Sequence, residues 1–163
     1  MTTARAMGLS LLMGLSLLMI TATSQACLQL PPNWEASGGQ VVDTQSKIVW
    51  QRCSLGQTWN GDSCVGEPTQ LTWQQAIGEA TANRLAGYAT WRLPNLKELS
   101  SLANGQCGAV DQAMFPATKQ QRYWSATSAG HNLDAAWTVH FLFGNDDYTD
   151  KQNFALVRLV RDQ

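Results

Sequence analysis

Charge is scarce in this chain. Only 14% of its residues are charged, and 11 basic residues nearly balance 12 acidic ones, for a net charge of −1. Without a basic surplus it lacks the surface that general nucleic-acid binding needs. Histidine is rarer still, with His131 and His140 alone. Few side chains can therefore move a proton near neutrality. No Gly-rich phosphate loop is present. Ser125 sits in Tyr-Trp-Ser-Ala-Thr and lacks the Gly-x-Ser-x-Gly elbow. The cysteines lack the paired spacing of a zinc site. These absences argue against an enzyme and leave a binding or structural module.

What is present begins with a leader. Arg5 precedes an apolar run from Met7 to Ile20, and a polar, small-residue stretch ends at Ser24-Gln25-Ala26. That order predicts a signal peptide over residues 1–26, cleaved after Ala26. The run falls short of the roughly 20 residues that span a bilayer, so an uncleaved anchor is the weaker alternative. Residues 27–163 then form a single exported domain, periplasmic or extracellular, with no membrane span. Removing Arg5 with the leader leaves 10 basic residues against 12 acidic.

Four cysteines remain, Cys27, Cys53, Cys64 and Cys107. An even number in an exported domain points to disulfides. Cys53 to Gly66 is rich in Gly, Ser, Asn and Asp and reads as a loop pinned by Cys53–Cys64. The second pair would be Cys27–Cys107. Lipidation of Cys27 is the alternative. It would strand one thiol, and Ser24 stands where a lipoprotein would carry a large aliphatic residue. Seven tryptophans give such a domain aromatic core material.

Secondary structure reads from pattern. Leu28 to Gly39 is an irregular lead-in. Val41-Val42 and Ile48-Val49-Trp50 flank a polar stretch and predict a β-hairpin. Thr72 with Gln75, and Asn95 with Glu98, each form a capping box. The first opens a helix that Gly87 should stop just after Leu85; the second opens a helix from Leu96 to Ala103, ending at Asn104-Gly105. Leu93-Pro94 forces an extended entry to the second helix. Tyr123-Trp124-Ser125 is a short strand. Ala136 to Phe143 alternates, with Trp137, Val139, Phe141 and Phe143 on one face. Ala155 to Arg161 is a closing strand with Val157 and Leu159 opposite Arg158. Helices followed by strands predict an α+β domain.

These residues resemble a family. Ile48-Val49-Trp50-Gln51-Arg52-Cys53, Leu55-Gly56-Gln57-Thr58-Trp59, Thr72-Trp73-Gln74-Gln75-Ala76, Trp91-Arg92-Leu93-Pro94-Asn95 and Val157-Arg158-Leu159-Val160-Arg161 occur in order. Together they resemble the C-terminal domain family of Legionella collagen-like protein, a bacterial domain of unknown function. The resemblance implies a C-type-lectin-like fold, with two helices packed on a twisted antiparallel sheet. It also implies an exported domain that adheres to a carbohydrate or cell-surface polymer. A structural or assembly role with envelope protein partners is the alternative. Thr90 stands where the family usually has an acid.

The candidate site lies between Gly144 and Phe154, read as an acidic loop. Asn145, Asp146, Asp147, Tyr148 and Asp150 are its candidate ligand-binding residues, joined by Trp59 from the disulfide loop. Asp146, Asp147 and Asp150 carry the oxygen ligands that calcium takes, although the spacing fails an EF-hand. No other cofactor is expected. Arg92, Lys97, Glu98, Arg158 and Arg161 read as structural, with Arg92 paired to Glu98. With two disulfides, residues 27–163 should weigh about 4 Da less than the fully reduced chain, about 2 Da per bond. Intact mass spectrometry checks this, and a diacyl mass on Cys27 would mark lipidation instead.

Overall fold

Two opposing demands decide the architecture: an apolar segment must be buried, and the arginine in the middle of it must keep its hydrogen bonds. A computed structural model describes residues 33–103 and 110–163. Cys27 and Cys107 both lie outside the described residues, as do the leader and Asn104-Gly105. Among the described residues, no helix is long and apolar enough to cross a membrane.

The described chain is α+β. Strands β1 (Trp34–Ser37), β2 (Gln40–Asp43), β3 (Ile48–Gln51) and β9 (Val160–Asp162) form an antiparallel sheet in the order β1-β2-β3-β9. Strands β6 (Arg122–Ala129), β7 (Asn132–His140) and β8 (Asp146–Asp150) form a second, antiparallel sheet, and β4 (Thr58–Trp59) pairs with β5 (Cys64–Val65). Helix α1 spans Trp73–Ala82 and α2 Leu96–Leu102.

The β2–β3 hairpin forms as expected, and its turn is held by Asp43. The carboxylate accepts from the Gln45 and Ser46 amides and from the Ser46 hydroxyl at 2.9, 3.1 and 2.6 Å. Burial raises its pKa, but the bonds from Ser46 and Gln45 outweigh that and hold it below the ordinary value. The lead-in is not wholly irregular, since Trp34–Ser37 pairs with β2.

Both capping boxes are complete. Helix α1 stops at Ala82, earlier than expected. Asn83 takes an extended conformation, and its Oδ1 accepts from the Leu85 amide at 3.0 Å and from Gln51 Nε2 at 2.8 Å. An asparagine that finds such partners competes with the helical ladder. Leu85–Gly87 follows as one 3-10 turn.

The core has two halves. One gathers Trp50, Leu99, Leu102, Phe115, Tyr123 and Leu156 against α2; the other gathers Trp91, Leu93, Trp124, Ala76, Ala80, Val157 and Leu159 with α1. Alternate residues of the closing segment enter each half, with Leu156 and Val160 in the first and Val157 and Leu159 in the second. An extended segment buried on both faces must be apolar throughout or satisfy its polar members internally. Arg158 does the latter through both terminal nitrogens, while its buried Nε has no partner among the described residues. Arg158 is fully buried and donates to the carbonyls of Gln51 and Arg52, to Ser54 Oγ at 3.1 Å and to Thr118 Oγ1 at 2.6 Å. Its guanidinium lies over the Phe115 ring at 4.8 Å. Burial lowers its pKa, partly opposed by Tyr123.

The expected Arg92–Glu98 pair is bidentate, at 2.9 and 3.1 Å, and Asp162 joins it at 2.8 Å. Together these carboxylates raise the Arg92 pKa against the effect of burial. Thr90 is exposed. Replacing Arg158 with methionine should keep the volume but strand its buried acceptors. Each stranded group costs roughly 1–3 kcal/mol, so we expect a loss of about 3 kcal/mol or more, read as a lower urea midpoint.

Candidate functional site: a cleft beside the disulfide hairpin

The Cys53–Cys64 bond is present, with Cα atoms 5.4 Å apart. The segment it closes is not a bare loop, because the β4–β5 hairpin lies inside it. Gly56 sits at the base with φ +92°, and a Cβ there would come within 2.6 Å of the Thr69 amide nitrogen. Only glycine fits that close approach. Asn60 Oδ1 accepts from the Asp62 and Ser63 amides at 3.0 and 2.8 Å and shapes the tip.

Trp59 is held at the hairpin by Arg52, whose guanidinium lies 3.8 Å from the ring centroid. The same guanidinium donates to the Met114 and Ala113 carbonyls, each at 3.1 Å. Between the hairpin and the end of α1 lies an open cleft of about 390 Å³. Its lining includes Leu55, Trp59 and Leu85, the amides of Gln51, Gln57 and Asn83, Thr58 and Arg84, and it contains no carboxylate. That size is within the range of small-ligand sites. Gln57 Nε2 donates to the Gly66 carbonyl at 3.1 Å. Arg84 Nη1 donates to the carbonyls of Thr81 and Asn83 at 2.8 and 2.7 Å.

The acidic segment differs from expectation. Asp146–Asp150 is a strand, β8, paired along its length with β7. Side chains alternate on a strand, so Asp146, Tyr148 and Asp150 share one face and Asp147 takes the other. Asp147 meets Arg122 at 3.3 Å. Asp150 Oδ1 accepts from the Gln152 amide at 2.8 Å. The Asn145 carbonyl accepts from the His140 amide at 2.9 Å. The calcium set Asp146, Asp147 and Asp150 therefore does not converge, and no group of three potential metal-binding side chains comes together among the described residues. Tyr148 is about half exposed and meets His131 and Trp137 edge-on, at 4.8 and 6.0 Å. Trp59 and Tyr148 thus belong to different neighbourhoods.

Other expectations also shift. Tyr123-Trp124-Ser125 is part of the longer β6. Phe143 is exposed because β7 ends at His140, where a turn brings the Gly144 amide to the His140 carbonyl at 2.8 Å. Ser125 is buried, and its hydroxyl donates to the Trp137 carbonyl at 2.8 Å. Burial first, then the Arg122 charge, lower the His140 pKa, and its Nδ1 accepts from the Leu142 amide at 3.2 Å.

Residues 39–161 match the Lcl C-terminal domain family. The chain belongs to that family. No curated protein matches the chain. The family match spans the cleft, both helices and the closing segment. Of the cleft residues, pattern reading found Trp59 and missed Gln51, Gln57, Asn83 and Arg84. Asn83 carried the one available signal, a helix-breaking residue that could stop α1 before Gly87.

Replacing both Cys53 and Cys64 with serine should lower stability by about 3 kcal/mol, the chain-entropy value for a loop of this size. Amide exchange should rise first across Thr58–Val65, and hydrogen exchange with mass spectrometry reads it.

Proposed function

We propose that this chain is an exported recognition module of C-type-lectin-like architecture that binds a carbohydrate or cell-surface polymer. The observation that carries this reading is the composition of the cleft. It sets an indole and two leucines beside side-chain amides and a hydroxyl. Sugar rings present the matching surface, with apolar C–H faces edged by hydroxyls. An aromatic ring supplies contact area at low entropic cost, and fixed amides supply orientation.

With no carboxylate lining the cleft, recognition there proceeds without a bridging calcium ion. Glycan-array binding should therefore be saturable and unchanged by a chelator. Trp59→Ala should weaken it at least about tenfold, the scale of a lost aromatic anchor. Asp146→Asn and Tyr148→Ala should leave it unchanged. Loss in the Tyr148 variant alone would move the site to the β8 edge. No binding to any glycan, with an envelope protein co-purifying, would favour the structural role.

A further inference from the structure

Gln51 and Asn83 lie on different elements, yet a single hydrogen bond joins their side chains, Gln51 Nε2 to Asn83 Oδ1 at 2.8 Å. Asn83 Oδ1 also accepts from the Leu85 amide at 3.0 Å. Two donors on one oxygen fix which end of the Asn83 amide is which. The Gln51 amide is fixed in turn, because its nitrogen is the donor. The pair is left with one acceptor, Gln51 Oε1, and two donor groups, Asn83 Nδ2 and the second N–H of Gln51 Nε2; neither Oε1 nor Nδ2 has a side-chain or backbone partner among the described residues. Both residues line the cleft, as do Trp59 and Leu85.

A joined amide pair of this kind matches a ligand that donates and accepts at neighbouring positions. A group that only accepts, such as a sulfate or carboxylate, would take the donors and leave Gln51 Oε1 unmatched. We infer that the cleft recognises a neutral sugar unit, with adjacent hydroxyls or an acetamido group hydrogen-bonded to Gln51 Oε1 and Asn83 Nδ2. This rests on the carbohydrate reading above and narrows it to a ligand class.

Gly39 offers an independent handle. A Cβ built on it would meet Trp59 and Leu85 at 3.7 and 3.8 Å, which is ordinary contact, and its φ is outside the left-handed region. A larger side chain there would fill the space between those two walls without backbone strain.

The test is calorimetric titration of the full chain with a neutral chito-oligosaccharide and a neutral cello-oligosaccharide, beside a sulfated glycan. Asn83→Asp keeps the oxygen that Gln51 and Leu85 use and turns the free donor into an acceptor. Saturable binding of either neutral oligosaccharide is expected, weakened at least about tenfold in Asn83→Asp and in Gly39→Val with melting temperature unchanged. The preferred oligosaccharide tells acetamido from hydroxyl recognition. Should either variant fail to fold, shifts of the Gln51 and Asn83 side-chain amide resonances on adding the oligosaccharide serve instead, and unmoved resonances overturn the inference. Neutral binding untouched by both variants, or binding of the sulfated glycan alone, would overturn the inference and leave the carbohydrate reading standing. Binding of no glycan at all would remove both.

Discussion

A cation with no carboxylate beside it organises this domain. Arg158 is enclosed in a segment that feeds two core halves at once, and its charge is met by the carbonyls of Gln51 and Arg52 and the hydroxyls of Ser54 and Thr118. Those acceptors all lie outside the closing segment. Keeping these hydrogen bonds therefore fixes where residues 51–54 run relative to residues 155–161. A buried charge costs several kcal/mol unless hydrogen-bonded, so alternative placements of the segment are heavily disfavoured. Ser54 also bonds to the Tyr123 hydroxyl at 3.0 Å, which carries the constraint into the second sheet. The cleft wall is the far side of this arrangement, because Gln51, Cys53 and Ser54 line it.

Features whose cause is local were legible in the sequence. Capping boxes at Thr72 and Asn95 need only residues three apart, and both helices begin where those residues place them. The Cys53–Cys64 bond joins near neighbours. The Val157/Leu159 alternation against Arg158 also reads directly, although of the expected Ala155–Arg161 strand only the end is one, as β9 over Val160–Asp162. The acidic segment was misread because aspartate and asparagine signal turns by propensity, whereas pairing with β7 overrides propensity. Edge strands often carry charge in just this way, which discourages pairing with another chain. Asp146, Asp147 and Asp150 fit that role on an outer strand.

The cleft was the least legible feature. Its two sides, residues 51–59 and 83–85, are separated by α1, and nothing in either stretch is periodic. What brings them together is the Gln51–Asn83 hydrogen bond and the early end of α1 that accompanies it. Trp59 stood out only because a tryptophan is unusual in a stretch rich in Gly, Ser and Asn. Its neighbours in space carry amides, and amides have no sequence pattern that separates a binding role from a solvated one.

The Trp91–Leu99 junction explains why a scaffold motif still matters to the site. Trp91 and Leu93 enter the core half of α1, while Leu96 and Leu99 enter that of α2. Glu98 serves both ends of the junction. It accepts from the Asn95 amide at 2.7 Å to close the capping box and takes both Arg92 nitrogens. Arg92 in turn exchanges backbone bonds with Val160 at 2.8 and 2.9 Å. One carboxylate thus sets the helix start and the bridged, extended segment that precedes it. From the same junction, Trp91 Nε1 donates to the Leu85 carbonyl at 3.1 Å. Leu85 is a cleft wall, and its own amide helps fix Asn83. The motif lines no part of the cleft, yet one indole hydrogen bond holds the Leu85 wall next to Asn83.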